Sequence, residues 1–230
     1  MNRIQKILQS YSEIVFPVTC ACCGASQEKK GEYLCEWCKN DRFDRVYSNT
    51  PEVVPEKIEF VYSMWNFDKG GYLQDLLHNL KYNFLRGVGE ELGNFTAHTF
   101  INSYSNLAQI ESLSPVLVPV PLHKSKRRKR GYNQARALAR GFAKVSGWDI
   151  IEKGVVLRTR KTRTQTGLNS SERTKNLKDA FRVENIDMVQ NRFPVIIDDV
   201  FTTGATTYEL ADTLLANNGG KAGIITVARA

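Results

Sequence analysis

Val195-Ile196-Ile197-Asp198-Asp199-Val200-Phe201-Thr202-Thr203-Gly204-Ala205-Thr206-Thr207 runs from an apolar triplet through two adjacent acids into a hydroxyl-rich turn. Val195, Ile196 and Ile197 read as a short buried strand. From about Gly204 to Asn217, Thr207, Leu210, Ala211, Leu214 and Leu215 share one helical face. Asp198 and Asp199 then stand at the carboxyl end of a strand, where open α/β sheets bind their ligands. Thr202, Thr203, Gly204, Ala205 and Thr206 lead into the helix N-terminus. They offer a phosphate backbone N–H groups, hydroxyls and the positive end of the helix dipole. Gly204 allows a turn that a β-carbon would obstruct. Two carboxylates touching that phosphate would repel it. They make sense if they accept hydrogen bonds from sugar hydroxyls one step away. A single acid would serve as a helix N-cap, but two acids followed by Thr-Thr-Gly-x-Thr fit a cap poorly. Gly219-Gly220-Lys221 lacks the spacing of a Walker A loop.

Outward from this stretch the pattern alternates. Pro115 to Pro121 is an apolar run bounded by prolines, a buried parallel strand. A helix over 133–145 follows, then a strand at Val155-Val156-Leu157. Asn169-x-x-Glu172 resembles a capping box opening a helix to about Lys178. Ile224 to Val227 is a last strand, after Gly219-Gly220 ends the helix before it. Upstream, Phe60 to Phe67 suggest a strand pair or hairpin. Leu73, Leu76, Leu77 and Leu80 give a helix with one apolar face, and a second helix covers about 88–104. Strands alternating with helices predict an α/β fold with a doubly wound, mainly parallel sheet. Asn40 to Lys57 is polar, holds Pro51 and Pro55, and reads as a linker. The chain therefore divides into an N-terminal helix and knuckle over 1–45 and an α/β domain over 58–230.

All five cysteines lie between positions 20 and 38. Cys20-x-x-Cys23 and Cys35-x-x-Cys38 form two C-x-x-C turns, a four-thiolate set for a structural zinc ion. Cys22 in place of Cys20 is the alternative at the first turn. Disulfides compete with this reading, but the first fifteen residues form an amphipathic helix pattern and not an export signal. A redox C-x-x-C is the other alternative, and no thioredoxin-like strand precedes it. About twenty residues cannot build a core, so metal binding would supply the folding energy. No apolar run is long enough to span a bilayer, so the expected location is the cytoplasm, without membrane insertion.

The net charge of +8 is unevenly spread. From Pro121 to Arg182 there are 18 lysines and arginines against four acids, so the remainder of the chain is net acidic. Such a block faces an anionic ligand: polyphosphate, pyrophosphate or nucleic acid. His78, His98 and His123 are scattered and read as structural.

The 195–207 stretch resembles the 5-phosphoribosyl-1-pyrophosphate (PRPP) motif of type I phosphoribosyltransferases. The wider order of motifs resembles the ComF family of competence-associated proteins over nearly the whole chain. That order is the four-cysteine knuckle, Leu80-Lys81-Tyr82, Val118-Pro119-Val120-Pro121-Leu122, Arg127-x-x-Arg130-Gly131-Tyr132-Asn133-Gln134, Leu157-Arg158-x-Arg160, Thr164-Gln165-x-Gly167-Leu168, Arg173-x-x-Asn176-Leu177 and Thr226-Val227-Ala228-Arg229-Ala230. The resemblance implies a type I phosphoribosyltransferase fold with a small zinc knuckle, binding PRPP or ribose 5-phosphate with Mg²⁺. It implies that Asp198 and Asp199 take the ribose hydroxyls as the catalytic pair. Thr202, Thr203, Gly204, Ala205 and Thr206 take the 5′-phosphate, with Ala205 where many members have a second glycine. Arg130 and Tyr132 would approach the pyrophosphate. Arg160 and Lys161 lie in a segment resembling the mobile loop that closes over PRPP. The implied setting is DNA uptake during natural transformation, with a competence helicase and single-stranded DNA as partners. An active transferase of nucleotide metabolism and a PRPP-sensing regulator without catalysis are the alternatives. No residue pattern identifies an acceptor.

Overall fold

The computed structural model describes residues 19–27, 31–46, 54–82, 85–160, 179–216 and 219–230. The expected helices over 2–14 and 169–178 lie outside them, as does Lys161. In chain order the elements are α1 (Glu36–Asn40), β1 (Ile58–Asn66), α2 (Tyr72–Tyr82), α3 (Arg86–Ser103), α4 (Leu107–Ser112), β2 (Pro115–Pro119), α5 (Lys124–Arg130), α6 (Gln134–Ser146), β3 (Asp149–Ile150), β4 (Val156–Arg158), β5 (Phe181–Val183), β6 (Phe193–Phe201), α7 (Ala205–Leu215) and β7 (Ala222–Arg229).

Five strands form one sheet in the order β1-β7-β6-β2-β3, and every pairing in it is parallel. Helices cover both faces, so the strands read as nearly continuous apolar runs. Alternate residues still separate: Val195 and Ile197 pack with α2, α3 and α6, while Ile196 packs with α7, β4 and β5. The chain leaves β2 for β3 on one side, and β6 lies on the other. The carboxyl ends of β2 and β6 therefore flank a topological switch point, the crevice where such sheets take ligands.

Residues 58–66 make one strand and no hairpin. Burial on both faces removes the break in pattern that a turn would need. The strand expected at Val155-Val156-Leu157 lies at Val156–Arg158, outside the main sheet and antiparallel to β5, because so short a run fixes neither direction nor partner. The basic run 124–130 is a helix, although charge alone carries no apolar period. Ser125 N–H donates to His123 Nδ1 (3.3 Å) at its start, and Gly131, at φ 72°, closes it.

Helices α3 and α6 cross with their backbones nearly in contact. A β-carbon on Gly141 would lie 1.7 Å from the Glu90 carbonyl oxygen, and one on Gly93 1.9 Å from that of Leu138. Backbone cannot give way as a side-chain tip can. Gly141→Ala is expected to destabilise the protein by about 1–3 kcal/mol, lowering the melting temperature by about 2–4 °C per kcal/mol in a calorimetric scan.

Candidate ligand pocket and metal centre

Strand β6 is flanked by β2 and β7. Val120 N–H donates to Ile197 O (3.0 Å) just past the last β2–β6 register pair, Pro119–Ile197, and β2's chain then turns off towards α5. Asp198 and Asp199 follow at once, at the mouth of the crevice. Asp199 N–H donates to Asp198 Oδ1 (2.9 Å). Lys81, in the last turn of α2, forms an ion pair with Asp199 Oδ2. Burial opposes ionisation of Asp199, but the charge and hydrogen bond of Lys81, the hydrogen bond of Asp198 and the Arg130 charge together hold that carboxyl below the usual range. Burial, followed by the Asp199 charge, pushes Asp198 up to about 8. Adjacent acids in one site separate in this way, one ionised and one favouring its proton.

Further cations converge on the pair. Burial lowers the Lys126 ammonium, and the charges of Arg158, Arg130 and Lys81 lower it further. Burial also lowers Arg158, against the pull of Asp198. Arg130 Nη1 donates to Gln134 Oε1 (3.2 Å), and its guanidinium lies 5.3 Å from the Tyr82 ring centroid. Tyr132 hydroxyl donates to Leu80 O, fastening the α5–α6 turn to α2. Burial raises the Tyr132 phenol to about 12 and keeps it a donor. Of the expected pyrophosphate residues, Arg130 and Tyr132 thus lie beside the acid pair. Arg160 is exposed at the end of its described stretch. Lys81, Lys126 and Arg158 had no predicted role. Lys81 and Arg158 stand in motifs of the ComF order, and Lys126 only in the basic run.

Thr202 and Thr203 are exposed, and Gly204 (φ 73°) caps α7 with no side-chain hydrogen bond. A β-carbon there would sit 2.3 Å from the Tyr208 ring, so both conformation and space select glycine. Glycine at the cap puts no side chain of its own over the first turn of α7, where the helix dipole favours an anion.

In the N-terminal knuckle, the Sγ atoms of Cys20, Cys23, Cys35 and Cys38 all lie within 4.8 Å of one another. Cys23 and Cys35 sulfurs are 3.8 Å apart. A tetrahedral zinc ion with Zn–S near 2.3 Å needs sulfurs about 3.8 Å apart, so the donor set fits. Cys35 N–H donates to Cys20 Sγ (3.3 Å) and Cys38 N–H to Cys35 Sγ (3.4 Å), orienting the thiolates. Cys20 is in the set and Cys22 is the spare. Four thiolates leave no open position, so the ion would be structural. The knuckle docks through Glu91 of α3, which accepts from Tyr33 N–H (2.5 Å) and Leu34 N–H (3.2 Å). Lys39 is 8% exposed and pairs with Glu36 (2.8 Å), Glu32 (3.1 Å) and Glu91 (3.8 Å).

An α/β protein with a mainly parallel sheet and an N-terminal four-thiolate knuckle is the class these features define. No family model matches the chain. It is 35% identical to "DNA utilization protein YhgH" of Escherichia coli K12 over 147 residues, 63% of this chain and 62% of that protein. It is 37% identical to "Competence protein F" of Haemophilus influenzae over 108 residues, 44% of each chain. It is 32% identical to "Competence protein ComFC" of Bacillus subtilis over 111 residues, 48% of this chain and 42% of that one. These relatives support a ComF-family protein, as the order of motifs implied. The match spans less than two thirds of each relative's length.

Elemental analysis of the purified protein should find one zinc ion per chain. Cys35→Ser together with Cys38→Ser should abolish it, and Cys22→Ser should keep it; zinc retained by the double variant would refute the centre.

Proposed function

We propose that the crevice beside β6 binds PRPP and that the chain acts in DNA uptake or use, on a type I phosphoribosyltransferase fold. The observation that carries this reading is Asp198-Asp199 at the switch point, joined through Val200, Phe201, Thr202 and Thr203 to the glycine-capped N-terminus of α7. In this reading Asp198 and Asp199 accept the ribose hydroxyls. Thr202, Thr203, Gly204, Ala205 and Thr206 hold the 5′-phosphate. Arg130 and Tyr132 face the pyrophosphate, with Arg160 and Lys161 closing over it. The names of the YhgH and competence relatives support the DNA setting, and the reduced thiolates of the knuckle suit the cytoplasm. No helix among the described residues is long and apolar enough to cross a membrane.

With Lys81 on Asp199 and a proton favoured on Asp198, the acids make a poor cage for Mg²⁺. Mg²⁺ would therefore arrive on the ligand's pyrophosphate. If an acceptor is present, the chemistry open to the pocket is displacement of pyrophosphate at the anomeric carbon. Cations facing the leaving group would stabilise its growing charge, and no protein nucleophile is needed. Calorimetry with PRPP and Mg²⁺ tests the binding. Asp198→Asn with Asp199→Asn should weaken it at least about 100-fold, or about 2.7 kcal/mol, without changing the melting curve's cooperativity. No binding by the wild type would sink the proposal.

Single-stranded DNA is the second ligand we propose, on the outer face of α5. Arg127, Arg128 and Lys129 are exposed there. Lys129 Nζ lies 5.5 Å from the ring centroid of Tyr82, which is itself 40% exposed. Exposed cations beside an aromatic ring suit a nucleotide backbone with a stacked base. Neutralising the three should flatten the slope of log K against log salt by about 2, at about 0.7 per phosphate contact. An unchanged slope in fluorescence anisotropy titrations would remove α5 from the DNA surface.

A further inference from the structure

Lys81 is the one cation that ion-pairs with the acid pair among the described salt bridges, and it comes from neither strand nor loop of the 195–207 stretch. It reaches the crevice from the last turn of α2, whose stripe Leu73, Leu76, Leu77 and Leu80 is buried against the sheet. Tyr132 hydroxyl bonded to Leu80 O, and Arg130 over Tyr82, brace the residues on either side of it. Lys81 is therefore held where it is by packing, and its ammonium is raised by Asp199 and by Asp198 against the cost of its own burial.

The charges around it do not balance. Lys81, Lys126, Arg130 and Arg158 converge from α2, α5 and β4, and they face Asp198 and Asp199. Even with both acids ionised, Lys81, Lys126 and Arg130 alone outnumber them among the described residues. Like charges gathered at a crevice mouth repel one another unless an anion joins them. One phosphate already has a place, at the N-terminus of α7, beyond the carboxyl end of β6. The surplus lies with the elements that approach from α2, α5 and β4, so it answers to a second anionic group.

We propose that Lys81 is the residue by which the pocket senses that second group: it pairs with Asp199 in the free protein and, while the sugar hydroxyls engage the acids, donates to the pyrophosphate on the neighbouring carbon. An ammonium has three donors on a flexible stem, so it can keep one on Asp199 and give another to the ligand. Lys81 is thus a specificity residue, separating PRPP from ribose 5-phosphate, which presents the same 5′-phosphate without the pyrophosphate. This rests on the PRPP reading above.

Calorimetric titration of wild type, Lys81→Met and Lys81→Gln with each ligand tests it, with melting curves to confirm that each variant is folded. Wild type should prefer PRPP. Both variants should bind PRPP at least tenfold more weakly, and ribose 5-phosphate within about threefold of wild type, so that the preference itself collapses. Equal weakening for the two ligands would make Lys81 a mere counter-ion of the acids and overturn the inference, leaving the pocket intact. Unchanged PRPP affinity in both variants would overturn it too. A wild type that binds neither ligand would remove the PRPP reading, and this inference with it.

Discussion

Two adjacent carboxylates at the end of a strand flanked on both sides are a problem that the rest of the pocket has to solve. Like charges about 4 Å apart in a partly buried site repel by something on the order of 4 kcal/mol. Water cannot screen them well, since helices cover both faces of the sheet. The protein resolves this with one ammonium and one proton. Lys81 pairs with Asp199, while burial and the charge of Asp199 push Asp198 up to about 8. The buried leucine stripe of α2 places Lys81 for this pairing, and Tyr82 and Tyr132 staple the basic segment to the same helix. A strand end that could be left to solvent in another sheet is here the point on which α2, α5 and β4 converge.

The knuckle packs on the same α-helical layer. Cys20, Leu34, Cys38 and Phe43 belong to one apolar cluster with Trp65 and the α2 and α3 residues. Asn66 N–H donates to Asp44 O (2.8 Å) and Val46 N–H to Met64 O (3.2 Å), so the chain leaving the knuckle covers the outer edge of β1. An uncovered edge strand would invite pairing with another chain. Glu91 ties the two regions: it binds backbone N–H groups of the knuckle from α3, and burial raises its carboxyl even so. A metal that orders the knuckle therefore also finishes the sheet.

What could be read in the sequence was what local chemistry fixes. Leu73, Leu76, Leu77 and Leu80 carry their helix in their spacing, and the two C-x-x-C turns carry the metal set, with the geometry choosing Cys20 over Cys22. The acids, the hydroxyl-rich turn and the glycine are contiguous, so the turn's shape is local as well. What could not be read depends on partners distant in the chain. Strand β3 is two residues long and exists through its pairing with β2. β4 finds β5 across more than twenty residues, and nothing in Val156 to Arg158 says that the pairing is antiparallel. Lys81 lies 118 positions before Asp199 on the polar side of an ordinary amphipathic helix, where a lysine is expected on any surface. Its meaning comes from where the helix ends.

The arrangement also explains why the basic block is divided. Charges that only raised the local potential could lie anywhere on one face. Here Lys126, Arg130 and Arg158 turn inward toward the acids, while Arg127, Arg128 and Lys129 remain exposed on the same short helix. Tyr82 stands between the two sets, its ring near both Arg130 and Lys129. A helix of seven residues with polar or charged side chains throughout has no apolar face to bury, so what holds it is its caps, Tyr82 and the two acids on its inner side. A ligand in the crevice would neutralise the inner set and leave the outer set free to meet a second polyanion.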